Sequence, residues 1–258
     1  MDEFDIFFEN TSNALEVIGS LPSSYFHRFS PDAFIMATGA PSADENWAWV
    51  KSGYSRELLI EVIEKFEERS LQFIWPVFPN PDVQMELDMD ELGLLARGTL
   101  TPMIFDSSLD SYANKPAGLK LSARRVSAPE DILVWADTCW GGFTENEEAP
   151  PPEFVRFARN AALNDKLGLI LGYIGGKPAG TYMLCKCGGI YISHFTVLRK
   201  WRNLGAGSFL MNDLMSYNDS VKNRYLALIA TKQGERLYKR FGFRKIAGIP
   251  VRSFSDEI

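Results

Sequence analysis

Cysteine and histidine are scarce. Three cysteines in 258 residues, an odd number, cannot build a disulfide framework. Two histidines leave little material for a metal centre. Cys185 and Cys187 share a strand face, but no second Cys or His cluster stands at ligand spacing, so no metal is expected. Long apolar runs are also missing. The longest, residues 167–174, is broken by glycines and falls well short of the ~20 residues of a membrane span. The first ten residues, MDEFDIFFEN, are acidic where an export signal is basic, so a cytoplasmic protein is expected. Basic residues form neither a dense run nor an aromatic–basic platform, which argues against nucleic acid and membrane surfaces as partners. No solenoid repeat is visible.

What is present is an ordinary globular balance, 46% hydrophobic and 23% charged. The net charge of −6 is unevenly spread: residues 1–116 hold 20 acidic and 7 basic residues, residues 117–258 hold 13 and 20. Opposite signs in the two halves suggest two units with different tasks. The break is expected in DSSLDSYANKPAG (residues 106–118), which has no apolar periodicity. The basic charge is scattered, which favours a small anionic ligand. Oligomeric state, monomer or homodimer, stays open.

In residues 1–116 the pattern predicts a strand at 32–38, a helix at 56–69 capped by Ser55, a strand at 71–78, a helix near 89–96 and a strand at 101–105. Residues 117–258 predict a strand at 119–126, helices at 129–139 and 152–163, and a hairpin of 167–174 with 179–186. After these come a strand at 190–197, a helix at 208–218, a strand at 225–230, a helix at 234–241 and a strand at 243–247. This is the order of a mixed, mostly antiparallel sheet flanked by helices, an α/β (α+β) fold with a smaller N-terminal α/β domain.

The segment that carries chemistry is HFTVLRKWRNLGAGSFLMNDLM, residues 194–215. A strand runs into Arg202-Asn203-Leu204-Gly205-Ala206-Gly207 and an amphipathic helix follows. The first N–H groups of a helix lack internal partners and carry the positive end of its dipole, and glycines let a pyrophosphate approach them. Together with the hairpin YIGGKPAGTYML and the later ALIATKQGERLYKRFGFRKI, this loop resembles the GNAT (GCN5-related N-acetyltransferase) superfamily over roughly residues 118–250. The resemblance implies an acyl-CoA N-acyltransferase fold, no metal, and direct transfer from acetyl-CoA to an amine in a ternary complex, with a non-catalytic acyl-CoA-binding module as the alternative. The acceptor, a small molecule or a peptide, stays open.

The resemblance also implies the site. Arg202, Gly205 and Gly207, with Asn203, Leu204, Ala206 and Ser208, form the pyrophosphate loop. The backbone of Phe195, Thr196 and Val197 meets the acyl and pantetheine part, on a strand that splays from its neighbour. Thr231 and Gly234 stand where the family has Asn and Ala near the cofactor. Tyr238, in LYKRFGF, matches the tyrosine that protonates the leaving thiolate. His194 is a candidate base, although strict alternation puts it on the face opposite Tyr191 and Ser193, where strand-borne bases of the family align. Trp140 and Phe143 flank the acceptor pocket, while Trp135, Phe241 and Phe243 read as core. Glu145, Glu147 and Glu148 read as a solvated loop or as an attraction for a cationic amine. The acidic half, with Lys51-Ser52-Gly53-Tyr54-Ser55 in place of the glycine loop, reads as a degenerate GNAT-like half-domain.

Overall fold

The computed structural model describes residues 2–79, 81–108, 120–145 and 148–254. Most of the predicted break, residues 109–118, and Glu147 lie outside them. The acidic half runs α1 (Glu3–Gly19), β1 (Tyr25–Ser30), β2 (Ala33–Ala37), β3 (Asn46–Val50), α2 (Arg56–Glu67), β4 (Trp75–Pro76), α3 (Val83–Glu91) and β5 (Leu95–Asp106). The basic half runs β6 (Leu121–Arg125), α4 (Pro129–Thr144), α5 (Pro152–Ala162), β7 (Leu167–Ile174), β8 (Lys177–Lys186), β9 (Ile190–Val197), α6 (Ala206–Val221), β10 (Tyr225–Ala230), α7 (Glu235–Arg240), β11 (Arg244–Lys245) and β12 (Ile249–Ser253). Among the described residues no helix is long and apolar enough to cross a membrane.

Local chemistry explains most boundaries. Ser55 caps α2, its hydroxyl accepting from the Leu58 N–H at 3.1 Å. Pro129 and Pro152 open α4 and α5, where a missing N–H costs nothing. α1, β1, β3 and β12 escape the sequence pattern, and α3 starts six residues before the expected helix. Of the strand expected at 71–78, only Trp75 and Pro76 pair as a strand, which makes β4 short.

The two halves repeat one succession: three antiparallel strands, a helix, a parallel strand, a helix and a last strand. Trp47 bridges Ile74 in parallel, linking β3 to β4 as β9 pairs in parallel with β10. The last strands are exchanged. β5, from the acidic half, pairs with β10 of the basic half, and β12, from the basic half, pairs with β4 of the acidic half. β5 and β12 also pair with each other, giving the order β4-β12-β5-β10-β9-β8-β7-β6, with β11 on β5. One sheet therefore runs through the division expected at residue 116.

The sheet has two unlike faces around β9. α1, α4 and α5 cover one with Phe7, Phe8, Leu15, Trp135, Phe154 and Phe157, together with Tyr191 of β9. α6 and α7 cover the other with Leu210, Leu214, Tyr238, Phe241 and Phe243.

Candidate active site

The site forms where β9 leaves β10. Their parallel pairing covers Ile190, Tyr191 and Ile192 and stops there, so residues 193–197 border a slot where the two strands part. A β-bulge in β9 coincides with the parting: Thr181 faces Thr196 and Met183 faces Ser193, leaving Tyr182 opposite both His194 and Phe195. His194 takes φ +51°, a left-handed conformation that costs a non-glycine residue about 1–2 kcal/mol. Its carbonyl accepts from the Thr181 hydroxyl at 3.0 Å. The Tyr182 hydroxyl donates to Asp213 at 2.6 Å and ties the strand opposite the bulge to α6.

The bulge resets the alternation. Ile190, Ile192, Phe195 and Val197 face α6 and α7, whereas Tyr191 and His194 face α1, α4 and α5. Strict period-2 reading set Phe195 beside Tyr191 and His194 opposite it; the extra residue reverses both placements. The side chain of Thr196 is buried against Gly142 of α4, so its backbone lies along the slot. A Cβ on Gly142 would stand 2.3 Å from Thr196 Oγ1 and 2.7 Å from its Cγ2. We expect Gly142→Ala to push α4 off β9 and to destabilise the protein by about 1–3 kcal/mol, read as a lower urea midpoint.

Beyond β9 the chain turns through Asn203 (φ +60°) and Gly205 (φ +86°) into α6. Gly205 is the N-cap and offers no side chain, and the first helical bond runs from the Phe209 N–H to the Gly205 carbonyl. The N–H groups of Ala206, Gly207 and Ser208 thus have no intrahelical partner, and no acidic side chain occupies the first turn. The corresponding helix of the acidic half, α2, is closed by Ser55. That contrast makes α6, and not α2, fit for an anion.

Arg202 lies in this loop, but its side chain works as a brace. Nε donates to the Val197 carbonyl at 2.9 Å, Nη2 to the Gly142 carbonyl at 2.8 Å, and Nη1 pairs with Glu145, whose carboxyl this contact holds below the usual range. Thr231 is exposed and caps the turn into α7, its hydroxyl accepting from the Gly234 N–H at 3.1 Å. Gly234 makes room for Tyr238, whose Cε2 would stand 2.9 Å from a Cβ there. Asn203 and Leu204 are exposed at the loop's rim, and Ala206 is buried beneath it. Ser208 accepts from Arg240 at 3.2 Å, and four cations, Lys232, Arg236, Lys239 and Arg240, border an adjacent hollow with one carboxylate, Glu235, which pairs with Lys239. Anions approaching α6 meet a positive field.

Tyr238 sits at the other wall of the slot, edge-on to Phe195 with ring centroids 5.6 Å apart. Burial pushes its phenol above the ordinary tyrosine range near 10, so it stays protonated at neutral pH. Phe241 and Phe243 are core, as expected. Trp140 and Phe143 lie on α4, which runs three residues past the Gly141 where a loop was expected. Trp140 packs on Phe154 and Phe143 is exposed. Cys139 and Cys185 are buried, and Cys187 bonds to Asn10.

The imidazole of His194 lies among Trp135, Phe154 and Phe157. Nε2 stands 3.1 Å from Glu45 Oε1 and Nδ1 stands 3.0 Å from Ser193 Oγ. Glu45 belongs to a single helical turn, residues 43–45, in the acidic half. Glu45 was not singled out in the sequence, and Ser193 only as a position where strand-borne bases of the family align. Glu45 is 149 positions away from its partner, and no local pattern announces it.

Comparison with known proteins bears on this arrangement. Residues 144–253 match the model of the acetyltransferase (GNAT) domain. Comparison with curated proteins finds no match. The fold is similar to a GCN5-related N-acetyltransferase from Kribbella flavida, at 14% identity over 95% of each chain and a TM-score of 0.63. It is also similar to one from Sphaerobacter thermophilus, at 16% identity over 88% of this chain and 78% of that one, TM-score 0.63. A tandem GNAT protein from the clavulanic acid biosynthesis pathway aligns at 13% identity over 95% of this chain and 86% of its own, TM-score 0.60. The parting strands and the uncapped, glycine-rich helix start both fall within the residues that match the GNAT acetyltransferase domain model, and the fold is that of the GNAT structures.

Proposed function

We propose that this chain transfers an acyl group from acetyl-CoA, or another acyl-CoA, to an amine. The observation that carries this reading is the slot between β9 and β10 opening onto the free N–H groups of Ala206, Gly207 and Ser208. A diphosphate needs such donors, and the missing side chains at Gly205 and Gly207 clear the approach. The thioester supplies the activated acyl group; the protein supplies position and protons. Backbone groups of β9 beyond Ile192 are free of a β10 partner and available to orient and polarise a carbonyl. In this reading Tyr238 acts as the acid for the leaving thiolate and His194 as the base for the amine. The acidic half keeps the succession of the basic half without its glycine loop, and we read it as a GNAT-like unit that no longer binds a cofactor.

Gly207→Val tests the reading. A Cβ there meets the flexible end of Leu237 at 3.1 Å and Val197 at an ordinary 3.8 Å, so the variant should fold. Its methyls would cover the amides. Losing two bonds to a charged group, each worth about 1.5–3 kcal/mol, should weaken acetyl-CoA binding by roughly a hundredfold or more in calorimetric titration. Unchanged affinity in a folded variant would remove the phosphate loop from the argument. Thiol release from acetyl-CoA over a panel of primary amines then reads turnover.

A further inference from the structure

His194 combines three features that packing alone does not require. Its backbone is held in a left-handed conformation, its ring is enclosed by Trp135, Phe154 and Phe157, and both ring nitrogens have partners. The side chain is 9% exposed and that of Glu45 is 15% exposed, so the pair is shielded from bulk water. An ionised carboxylate only accepts hydrogen bonds. Glu45 therefore keeps the single proton of a neutral imidazole on Nε2 and leaves the lone pair on Nδ1, facing the Ser193 hydroxyl. Ser193 is the first residue of β9 beyond its pairing with β10, where the slot begins.

We propose that Ser193, His194 and Glu45 form a proton relay for the acceptor amine, with Glu45 as a positioning residue supplied by the acidic half. This rests on the acyltransfer reading above. As the C–N bond forms and the C–S bond breaks, Ser193 Oγ takes the proton of the attacking nitrogen while passing its own to Nδ1 of His194. The departing thiolate takes the proton of Tyr238, and water returns both groups to their starting states. Glu45 keeps its bond to Nε2 throughout and steadies the imidazolium. The other groups around the ring are compatible with this role. Asp44 shares the turn with Glu45 and accepts from Ser42. From α4 comes the thiol of Cys139, which burial keeps neutral. From β8 comes Thr181, already donating to the His194 carbonyl. α5 contributes Phe154 and Phe157.

The chain has two histidines, so in full-length protein carrying His27→Gln the signals of a 15N-labelled imidazole belong to His194 alone. Long-range 1H–15N spectra should show the Nε2–H tautomer. Glu45→Gln, of nearly the same shape, should abolish that preference. With acetyl-CoA and an amine that turns over, the same variant should lose roughly 10²-fold in kcat. The KM for acetyl-CoA should not change. Ser193→Ala should lose turnover while keeping the Nε2–H tautomer. An unchanged tautomer in Glu45→Gln would overturn the relay, and so would a 42 Da acetyl adduct on Ser193, which would make that hydroxyl a nucleophile. Absence of acetyl-CoA binding by the wild type would strike at the acyltransfer reading instead, with the spectra still deciding whether Glu45 sets the tautomer.

Discussion

Tyr238→Phe should bind acetyl-CoA like the wild type and turn it over roughly 10²–10⁴ times more slowly, the usual contribution of a positioned general acid. The substitution removes one oxygen and keeps the ring that packs on Phe195 and Phe243. Among the described residues no hydrogen bond to that hydroxyl is present, so its loss leaves no buried partner unsatisfied, and the urea midpoint should hardly move. Affinity should hold because the phosphates are met at the start of α6. The pH dependence gives a second check. Burial raises the phenol's pKa, so the acid form persists above the ordinary tyrosine value near 10, and a basic limb due to Tyr238 must lie above that value in the wild type. That limb should vanish in the variant. Full turnover by Tyr238→Phe would pass the acid role to water or another group and leave the tyrosine as packing.

How much of this was legible depended on how local each determinant is. The glycine loop, the 167–186 hairpin and the helix starts at Pro129 and Pro152 are written in adjacent residues, and each stands where the sequence places it. α1 was missed because Phe4, Ile6, Phe7 and Phe8 crowd its first turns, and its buried face continues through Asn10 and Thr11, which hydropathy counts as polar. The bulge in β9 was missed because alternation assumes one residue per pleat. One inserted residue moved His194 to the face covered by α1, α4 and α5, where its imidazole is paired. Arg202 shows the converse. Its place in the loop matched the family pattern, yet its guanidinium holds Val197, Gly142 and Glu145 together. The Glu45–His194 contact and the exchange of β5 and β12 depend on which distant segments meet, and no window of sequence contains both partners.

That exchange leads to the largest expected effect, obtained by expressing residues 117–258 alone. Charge and composition suggest an independent catalytic unit, but the fragment lacks β5. β10 would lose its antiparallel partner across all six of its residues, and β12 its partner over Ile249–Ser253. β4, which pairs with β12, would go too. The face carrying Tyr191 and Trp135 would lose Phe7, Phe8, Leu15 and Ile18 of α1. Burying four such side chains contributes about 6–12 kcal/mol, comparable with the whole stability of a typical domain. The fragment should therefore show no cooperative urea transition, little near-ultraviolet dichroism and no acetyl-CoA binding, although its glycine loop is intact. Co-expression with residues 1–116 should restore all three, because the two fragments together retain every exchanged strand, and an exposed β10 edge pairs readily with a matching strand. Glu45 returns with that fragment, so turnover should return as well. A fragment 117–258 that folds alone and binds acetyl-CoA as tightly as the full chain would show that the exchanged strands are dispensable, and that the acidic half matters to the reaction, if at all, only through Glu45.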